Sequence, residues 1–307
     1  MALLEVNELT VSFLQYKGGL RQENLNVIRD LNVAVNSGEI LAVVGSSGSG
    51  KSLLAHAILG ILPNNAQMNG DIVFDGSPLT PSRKEKIRGK EIALIPQSVN
   101  YLDPLMKIST QVRTAVKGKD PIEAQRKVFR RYHLGKEVEN KYPFQLSGGM
   151  ARRVLVSTAM VSGARLVIAD EPTPGLDPIV IKEALQYFRE LADSGCAVLI
   201  ITHDIEAALT IADKIAVFYA GTTVEIASVT DFTNDGELLR HPYSKALWNA
   251  LPQNAFIPIS GSQPLASNLP PGCLFEPRCS LAKEECRASR PEQRQLRNGM
   301  VRCVYAT

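Results

Sequence analysis

The chain has no long hydrophobic segment. Its uninterrupted apolar runs are short, such as residues 166–169 and 197–201 of the 307, whereas a membrane-spanning helix needs about 18 or more apolar residues. The first ten residues, MALLEVNELT, carry acidic but no basic side chains, unlike the positively charged start of a signal peptide. We therefore expect a soluble protein without a signal peptide.

Charge of one sign and cysteine are also scarce. The formal net charge is only +3, so composition does not indicate a nucleic-acid partner, and we expect none. Five cysteines are few for a secreted disulfide scaffold of this length. Four of them lie within the last 35 residues, and this clustering requires its own explanation.

The order of apolar and polar segments predicts an α/β core. Ile40–Val44 has the pattern of a strand that leads into a glycine-rich turn, and Ser52–Leu62 that of a helix ended by Pro63. A more polar, helix-favouring segment occupies about residues 100–160, so we expect a helical subdomain inserted into a parallel-sheet core. The remaining strand patterns are Ile92–Ile95, Leu166–Ala169, Ala197–Thr202 and Ile215–Tyr219.

Residues 45–52, GSSGSGKS, match the pattern of a phosphate-binding P-loop and lie between a strand and a helix, as this motif requires. Glycines let backbone N–H groups turn toward phosphate oxygens, and the helix N-terminus adds a partial positive charge. We expect Lys51 to reach the β- and γ-phosphates of ATP and the Ser52 hydroxyl to bind Mg²⁺. The loop consists of Gly45, Ser46, Ser47, Gly48, Ser49, Gly50, Lys51 and Ser52.

Two acidic residues follow the apolar stretch Leu166–Ala169. Four apolar residues suit a strand buried on both faces, and open α/β sheets bind ligands at the carboxyl ends of such strands. We expect Asp170 to hold Mg²⁺ and Glu171 to orient and polarise the water that attacks the γ-phosphate. An Asp-Glu pair after a strand is often only a helix start, and it is the combination with the P-loop that indicates a hydrolytic site.

The segment Leu146–Met150, LSGGM, begins a predicted helix 23 residues before Asp170. Together with the P-loop it resembles the signature motif of ABC ATPases. The resemblance implies that Ser147, Gly148 and Gly149 face the ATP held by a second subunit, so that two subunits enclose two nucleotides. Ser147 also has the chemistry of a simple helix N-cap.

Further positions resemble those of the same family in order and spacing. Gln97 resembles the Q-loop glutamine, which senses Mg²⁺ and couples to a membrane subunit. Asp177 resembles the D-loop aspartate at the dimer interface, and His203 the switch histidine that contacts the γ-phosphate. Phe13, with Tyr16 as second choice, resembles the aromatic residue that stacks on adenine, although either suits an ordinary core position.

The end of the chain resembles the C-terminal extension of ATPases from oligopeptide, dipeptide and nickel importers, in residues 241–247 (HPYSKAL) and 272–279 (GCLFEPRC). Its cysteines have the spacing C-x5-C-x6-C-x16-C. Four thiolates suit a [4Fe–4S] cluster or a structural zinc ion, and zinc sites usually use tighter pairs. We expect the cluster, with zinc or free thiols as alternatives. These residues are Cys273, Cys279, Cys286 and Cys303.

The resemblance implies an α/β P-loop NTPase core of the ABC type over residues 1–235, with an inserted helical subdomain, and a small irregular C-terminal extension over residues 236–307. It implies an ATPase that uses ATP and Mg²⁺ and lies peripherally at the cytoplasmic face of the membrane. The expected partners are a second ATPase subunit, either a paralogue or itself, two transmembrane permease subunits and, indirectly, an extracellular solute-binding protein.

Two other functions are open to a chain with these motifs, besides an importer of peptides or nickel. Soluble ABC ATPases of DNA repair or translation usually carry a long coiled-coil insertion or two cassettes in one chain. Only about 100 residues separate Lys51 from Ser147, and no sustained heptads occur there. The C-terminal extension argues against the second alternative, an exporter ATPase.

Overall fold

Strands and helices alternate through most of the chain. The computed structural model describes residues 2–16, 21–118 and 120–307. Twelve strands occur in those ranges, and the innermost of them are continuous apolar stretches. They are β1 (Leu4–Tyr16), β2 (Gln22–Val35), β3 (Ile40–Gly45), β4 (Ala66–Phe74), β5 (Ser77–Pro78), β6 (Ile92–Ile95), β7 (Leu166–Asp170), β8 (Ala197–Ile201), β9 (Lys214–Tyr219), β10 (Thr222–Ser228), β11 (Arg294–Leu296) and β12 (Gly299–Val301).

Several helices begin at side-chain caps. Thr80, Asp120 and Asp204 each accept a hydrogen bond from a backbone N–H of the first turn, which satisfies a donor that the helix itself cannot pair. In the part of the chain that the structure describes, no helix is both long and apolar enough to cross a membrane. The helices are α1 (Lys51–Leu59), α2 (Pro81–Ile87), α3 (Ile108–Thr114), α4 (Pro121–Arg131), α5 (Gly148–Val161), α6 (Pro178–Asp193), α7 (Ile205–Ile211), α8 (Pro242–Asn249) and α9 (Glu284–Ala288).

Residues 35–40 and 80–202 form one unit, which we call the helical unit. Three parallel strands lie side by side in it, in the order β8, β7, β6. Ile95 at the end of β6 pairs with Ala169, and Asp170 at the end of β7 pairs with Ile201. The carboxyl ends of these strands therefore meet at one edge of the sheet.

The segment predicted to be helical forms α3, α4 and α5, which pack on one another. A buried carboxylate joins its loops and helices, since Glu139 accepts from Arg113 at 2.9 Å and from Arg126 at 3.2 Å. Gln125 accepts a further hydrogen bond from Arg113 at 2.7 Å. The predicted helical character of residues 100–160 is therefore confirmed.

Residues 2–34, 41–79 and 203–307 form a second unit, the P-loop unit. One of its sheets has the strand order β2, β1, β4, β5. The other contains β11, β12, β10, β9 and β3 in that order, with β3 and β9 parallel and the remaining pairs antiparallel. The last two strands of the chain therefore extend the sheet that contains β3, with Glu225 opposite Val301.

The predicted strands are confirmed to within one residue at each end. The predicted helix at Ser52–Leu62 is shorter in the structure, where α1 ends at Leu59. Gly60 caps it by donating its N–H to the carbonyl of Ala57, so the helix ends four residues before Pro63. A C-terminal glycine ends a helix more directly than a proline beyond it.

A buried charge network holds the start of the extension to β10. The side chain of Arg240 is 1% exposed and that of Glu225 is 0% exposed, and they lie 3.2 Å apart. Asp231 pairs with Arg240 at 2.9 Å. Glu225 also accepts from the backbone N–H groups of Arg240 and His241, at 2.8 and 2.9 Å. Because the charges are compensated from several directions, they can remain buried.

We predict that Arg240→Met destabilises the protein by about 3–5 kcal/mol, because Glu225 would remain buried without a cationic partner. Urea unfolding followed by circular dichroism measures this change. The matched control is Arg130→Met, which breaks the exposed pair with Glu123 (side chains 66% and 61% exposed) and should cost less than about 1 kcal/mol. Equal losses for the two variants would contradict the prediction.

Candidate active site

The P-loop begins where β3 runs closest to its neighbour. Gly45 is the last residue of β3 and pairs with Phe218 of β9. A Cβ atom placed on Gly45 would lie 2.3 Å from the carbonyl oxygen of Phe218, and the backbone of Gly45 has a φ of +151°. Only glycine fits this position, so the chain leaves the strand without a side chain and turns directly into the loop.

Lys51, the first residue of α1, folds back over the loop. Its ammonium donates to the carbonyl oxygens of Gly45 at 2.8 Å and Ser46 at 3.0 Å. The residue is 8% exposed, so the positive charge is held by backbone oxygens at the loop entrance. A buried ammonium that backbone carbonyl oxygens hold in place is a strong electrostatic partner for a phosphate.

The loop fits a phosphate group. Gly50 is the N-cap of α1 and supplies no side-chain acceptor to its first turn, so the positive end of the helix dipole remains available to an anion. The Ser49 hydroxyl is buried and has no hydrogen-bond partner among the described residues. A buried polar group without a partner is costly, and a bound oxygen would satisfy it.

In the helical unit, three predicted residues lie at or just beyond the carboxyl ends of two neighbouring strands, β6 and β7. Gln97 lies two residues beyond β6 and is exposed, whereas Asp170 ends β7 and is 4% exposed. The N–H of Glu171 donates to the carbonyl of Ile201 at 2.8 Å. Because β6 and β7 are parallel neighbours, these polar side chains emerge at the same edge of the sheet, the position that carries ligands in open α/β sheets.

The backbone of Glu171 is strained. Its φ is +48°, a left-handed conformation that costs a non-glycine residue about 1–3 kcal/mol. Arg152 of α5 donates to the carbonyl oxygen of Glu171 at 3.1 Å. No local sequence pattern indicates Arg152, because its hydrogen bond reaches a backbone oxygen 19 positions away. Helix α5 thus helps to fix the backbone of Glu171, the residue predicted to activate water.

Two predicted interface residues are helix caps. Ser147 accepts from the N–H of Met150 at 3.3 Å and begins α5. Asp177 accepts from the N–H groups of Ile179 and Val180, both at 3.1 Å, and begins α6. Gly148 and Gly149 lie in the first turn of α5, and, apart from their chain neighbours and the backbone of that helix, no atom of the described residues lies within 4 Å of a Cβ built on either. The cap interpretation of Ser147 is therefore correct, and it leaves the signature glycines accessible.

The remaining predicted residues belong to the P-loop unit. His203 is exposed and directly precedes Asp204, the N-cap of α7. Phe13 is half-buried in β1 opposite Ala66. Tyr16 is 65% exposed, and its hydroxyl accepts from Gln22 at 3.1 Å. The roles of His203 and Phe13 stay predictions, with Tyr16 as the alternative to Phe13.

The four C-terminal cysteines are brought together around one cavity, which has room for about one water molecule (about 10 Å³). Cys286 and Cys303 are buried, Cys273 and Cys279 are half-buried, and none forms a disulfide. The N–H of Cys273 donates to the carbonyl of Cys286 at 2.7 Å. Residues separated by up to 30 positions in the chain thus meet at one place.

Burial raises the pKa of Cys273 to about 11 and also raises the pKa of Cys279 and of Cys303. Repulsion from the neighbouring thiols adds to each of these increases. Among the described residues, no three His, Cys, Asp or Glu side chains are arranged to hold a metal ion. The structure therefore shows the proximity of the thiols and not a metal centre.

A P-loop in one unit and an Asp-Glu pair at a strand end in the other are each features of nucleotide-hydrolysing cassettes, and comparisons with known proteins agree. Residues 28–174 match the family described as "ABC transporter", and residues 224–286 match "Oligopeptide/dipeptide transporter, C-terminal region". The chain is similar to the "Oligopeptide transport ATP-binding protein OppD" of Salmonella typhimurium, with 35% identity over 94% of this chain and 89% of that protein. It is 33% identical to the "Dipeptide transport ATP-binding protein DppD" of Caldanaerobacter subterraneus, over 94% of this chain and 92% of that one.

Solved structures show the same fold. A structure described as the ATP-binding subunit of an ABC transporter has 27% identity, covers 77% of this chain and 94% of its own, and superposes with a TM-score of 0.64. A dimeric ATP-binding cassette in a post-hydrolysis state has 25% identity and the same TM-score, over 74% and 98% of the two chains. The protein belongs to the ABC transporter family and is an ATP-hydrolysing subunit.

We predict that Lys51→Ala weakens ATP binding by about 10- to 100-fold, because the loop loses a charged hydrogen-bond donor to phosphate. Titration of the full chain with a fluorescent ATP analogue measures the dissociation constant. Lys86→Ala removes an exposed lysine of α2 and should leave binding unchanged. Equal affinities for the two variants would contradict the assignment of the loop.

Proposed function

We propose that this subunit powers an importer of oligopeptides or dipeptides. The observation that carries the proposal is the match of residues 224–286 to the C-terminal region of oligopeptide and dipeptide transporters. The relatives named for these cargoes also align with nearly the whole chain, 94% of it in both cases above. An exporter or a soluble ABC ATPase would need this region for another purpose.

Transport in proteoliposomes tests the proposal. The full chain is assembled with the proposed second ATPase subunit, permeases and solute-binding protein, and ATP is enclosed in the lumen. Radiolabelled di- and oligopeptides supplied outside with the binding protein should accumulate in an ATP-dependent manner. Uptake of nickel without uptake of peptide would replace peptide by nickel as the cargo, and uptake of neither would refute the importer.

Contacts within the chain support the residue roles that we propose for hydrolysis. Lys51 and the first N–H groups of α1 bind phosphate oxygens, and Glu171 accepts the proton of the attacking water. Ser52 and Asp170, assisted by Gln97, would hold the Mg²⁺ that neutralises phosphate charge. The strained backbone of Glu171 and its contact with Arg152 support this role, because a general base requires a fixed direction.

Gly148, Gly149 and the Ser147 cap are proposed to bind the nucleotide of a second ATPase subunit, which is a paralogue or another copy. The unobstructed first turn of α5 supports this, since its N–H groups can face an anion. Asp177 belongs to the same interface and His203 contacts the γ-phosphate, while Phe13 stacks on adenine. These assignments rest on the resemblance to the family.

We predict that Glu171→Gln abolishes most hydrolysis while ATP binding persists, because the amide cannot accept the proton of the attacking water. The rate should fall by about 10²–10⁴-fold. Size-exclusion chromatography with and without ATP, alongside phosphate release, should reveal a dimer that persists in ATP. Glu292→Gln, at an exposed position, is the control, and a normal hydrolysis rate for Glu171→Gln would overturn the role of Glu171.

The permease subunits are proposed to contact the helical unit beside Gln97, with the protein peripheral at the cytoplasmic face. A cavity of about 370 Å³ opens between β6, α3 and α5. Tyr101 is 55% exposed and Leu105 is 88% exposed nearby in the chain, and such apolar exposure is typical of contact surfaces. The cavity is lined by Leu94, Pro96, Tyr101, Leu102, Asp103, Met106, Gln111, Thr114, Leu155 and Thr158.

The four C-terminal cysteines are proposed to bind a [4Fe–4S] cluster, which would tie the extension together. Their shared cavity and sulfur donor set support this. Because burial raises the pKa of Cys273, Cys279 and Cys303, binding requires these thiols to release protons, and affinity should increase with pH. Zinc or free thiols are the competing outcomes.

We predict about four irons per chain and a brown colour after anaerobic purification. Cys279→Ser should remove the iron and the brown colour. It should also lower the melting temperature, because the cluster loses one ligand and no longer ties the extension together. Cys196→Ser is the matched control, since Cys196 is a buried cysteine of the helical unit and should leave the iron content unchanged. One zinc per chain, or no metal, would refute the cluster.

A further inference from the structure

The P-loop is hydrogen-bonded to a residue far along the chain. The Ser46 hydroxyl donates to Oε1 of Gln263 at 2.5 Å. The same oxygen accepts from the N–H of Ala220, in the turn between β9 and β10, at 3.3 Å. Gln263 lies in the irregular segment 254–272, 217 positions from Ser46, so one amide oxygen joins the extension to the P-loop and to the sheet.

A second group of the extension reaches the same serine. Tyr243 of α8 is 2% exposed, and its hydroxyl lies close to the side chain and the backbone N–H of Ser46. Burial raises the pKa of Tyr243, and the neighbouring Ser46 opposes that increase. Since the phenol is protonated at neutral pH, it is a neutral partner for the loop throughout the physiological range.

Tyr243 is itself fixed by an aromatic cluster. Its ring centroid lies 4.5 Å from that of Tyr219 and 5.3 Å from that of Phe275, which is located between Cys273 and Cys279. Arg278 donates to the Tyr219 hydroxyl at 3.3 Å and to the carbonyl of Ser260 at 2.8 Å. The cysteine-containing segment and the segment that carries Gln263 are thus joined beside the P-loop.

These contacts restrain the residue at which the loop leaves β3. A loop that is already ordered loses less conformational entropy when a ligand binds, so it binds more tightly. We propose that Gln263 and Tyr243 are positioning residues that hold Ser46, so that the C-terminal extension of the chain sets its own affinity for nucleotide. The inference rests on the proposed binding of phosphate by residues 45–52.

Binding of a fluorescent ATP analogue to the full chain tests this directly. Gln263→Ala and Tyr243→Phe should each raise the dissociation constant about two- to tenfold, the range expected for one net hydrogen bond. In the assembled transporter, KM for ATP should rise while kcat changes less than about twofold, because neither side chain touches the reacting atoms. Gln253→Ala, an exposed glutamine upstream in the chain, is the matched control and should bind normally.

A double-mutant cycle separates positioning from a general loss of structure. Ser46→Ala removes the same hydrogen bond to Gln263, so Ser46→Ala/Gln263→Ala should bind no more weakly than Ser46→Ala alone. Fully additive losses would overturn the proposal, as would equal affinities for Gln263→Ala and Gln253→Ala when Lys51→Ala loses binding. If Lys51→Ala binds normally, the assignment of the loop fails and the inference fails with it.

Discussion

The pairing of β3 with β9 is the constraint on which the P-loop unit depends. At the carboxyl end of β3 the backbones of the two strands approach so closely that Gly45 has no room for a side chain beside the Phe218 carbonyl. After Gly45 the chain continues into the P-loop. On the neighbouring strand, β9 ends at Tyr219, and Ala220 lies in the turn that follows it. One strand end therefore fixes the phosphate loop, the aromatic cluster and the backbone donor that meets Gln263.

Backbone polar groups determine how the functional side chains are held. Ser147 and Asp177 satisfy the first N–H groups of their helices, and Arg152 and Lys51 are held by carbonyl oxygens at the places where strands end. Because a buried backbone donor or acceptor without a partner is costly, these residues stabilise the fold as well as carrying their proposed functions. Cap and functional interpretations of such residues are therefore compatible.

The extension is held by polar contacts as well as by its aromatic cluster. Arginines satisfy the carbonyl oxygens of its irregular segments, as Arg278 does at Ser260 and Arg294 at Cys303. The buried pair of Arg240 and Glu225 joins its start to β10, and the pairing of β12 with β10 joins its end. A small region without a large core requires such links, and the gathered thiols offer one more.

The sequence by itself determined five strands (β3 and β6–β9), the P-loop, the Asp-Glu pair and the helix that begins after Ser147. These depend on local periodicity, turn chemistry and spacing, which are properties of neighbouring residues. Only the tertiary structure revealed Arg152 on the Glu171 backbone, Gln263 and Tyr243 on Ser46, and the meeting of the four cysteines. Each of these joins residues distant in the chain, and such contacts leave no local pattern because they arise from the packing of whole elements.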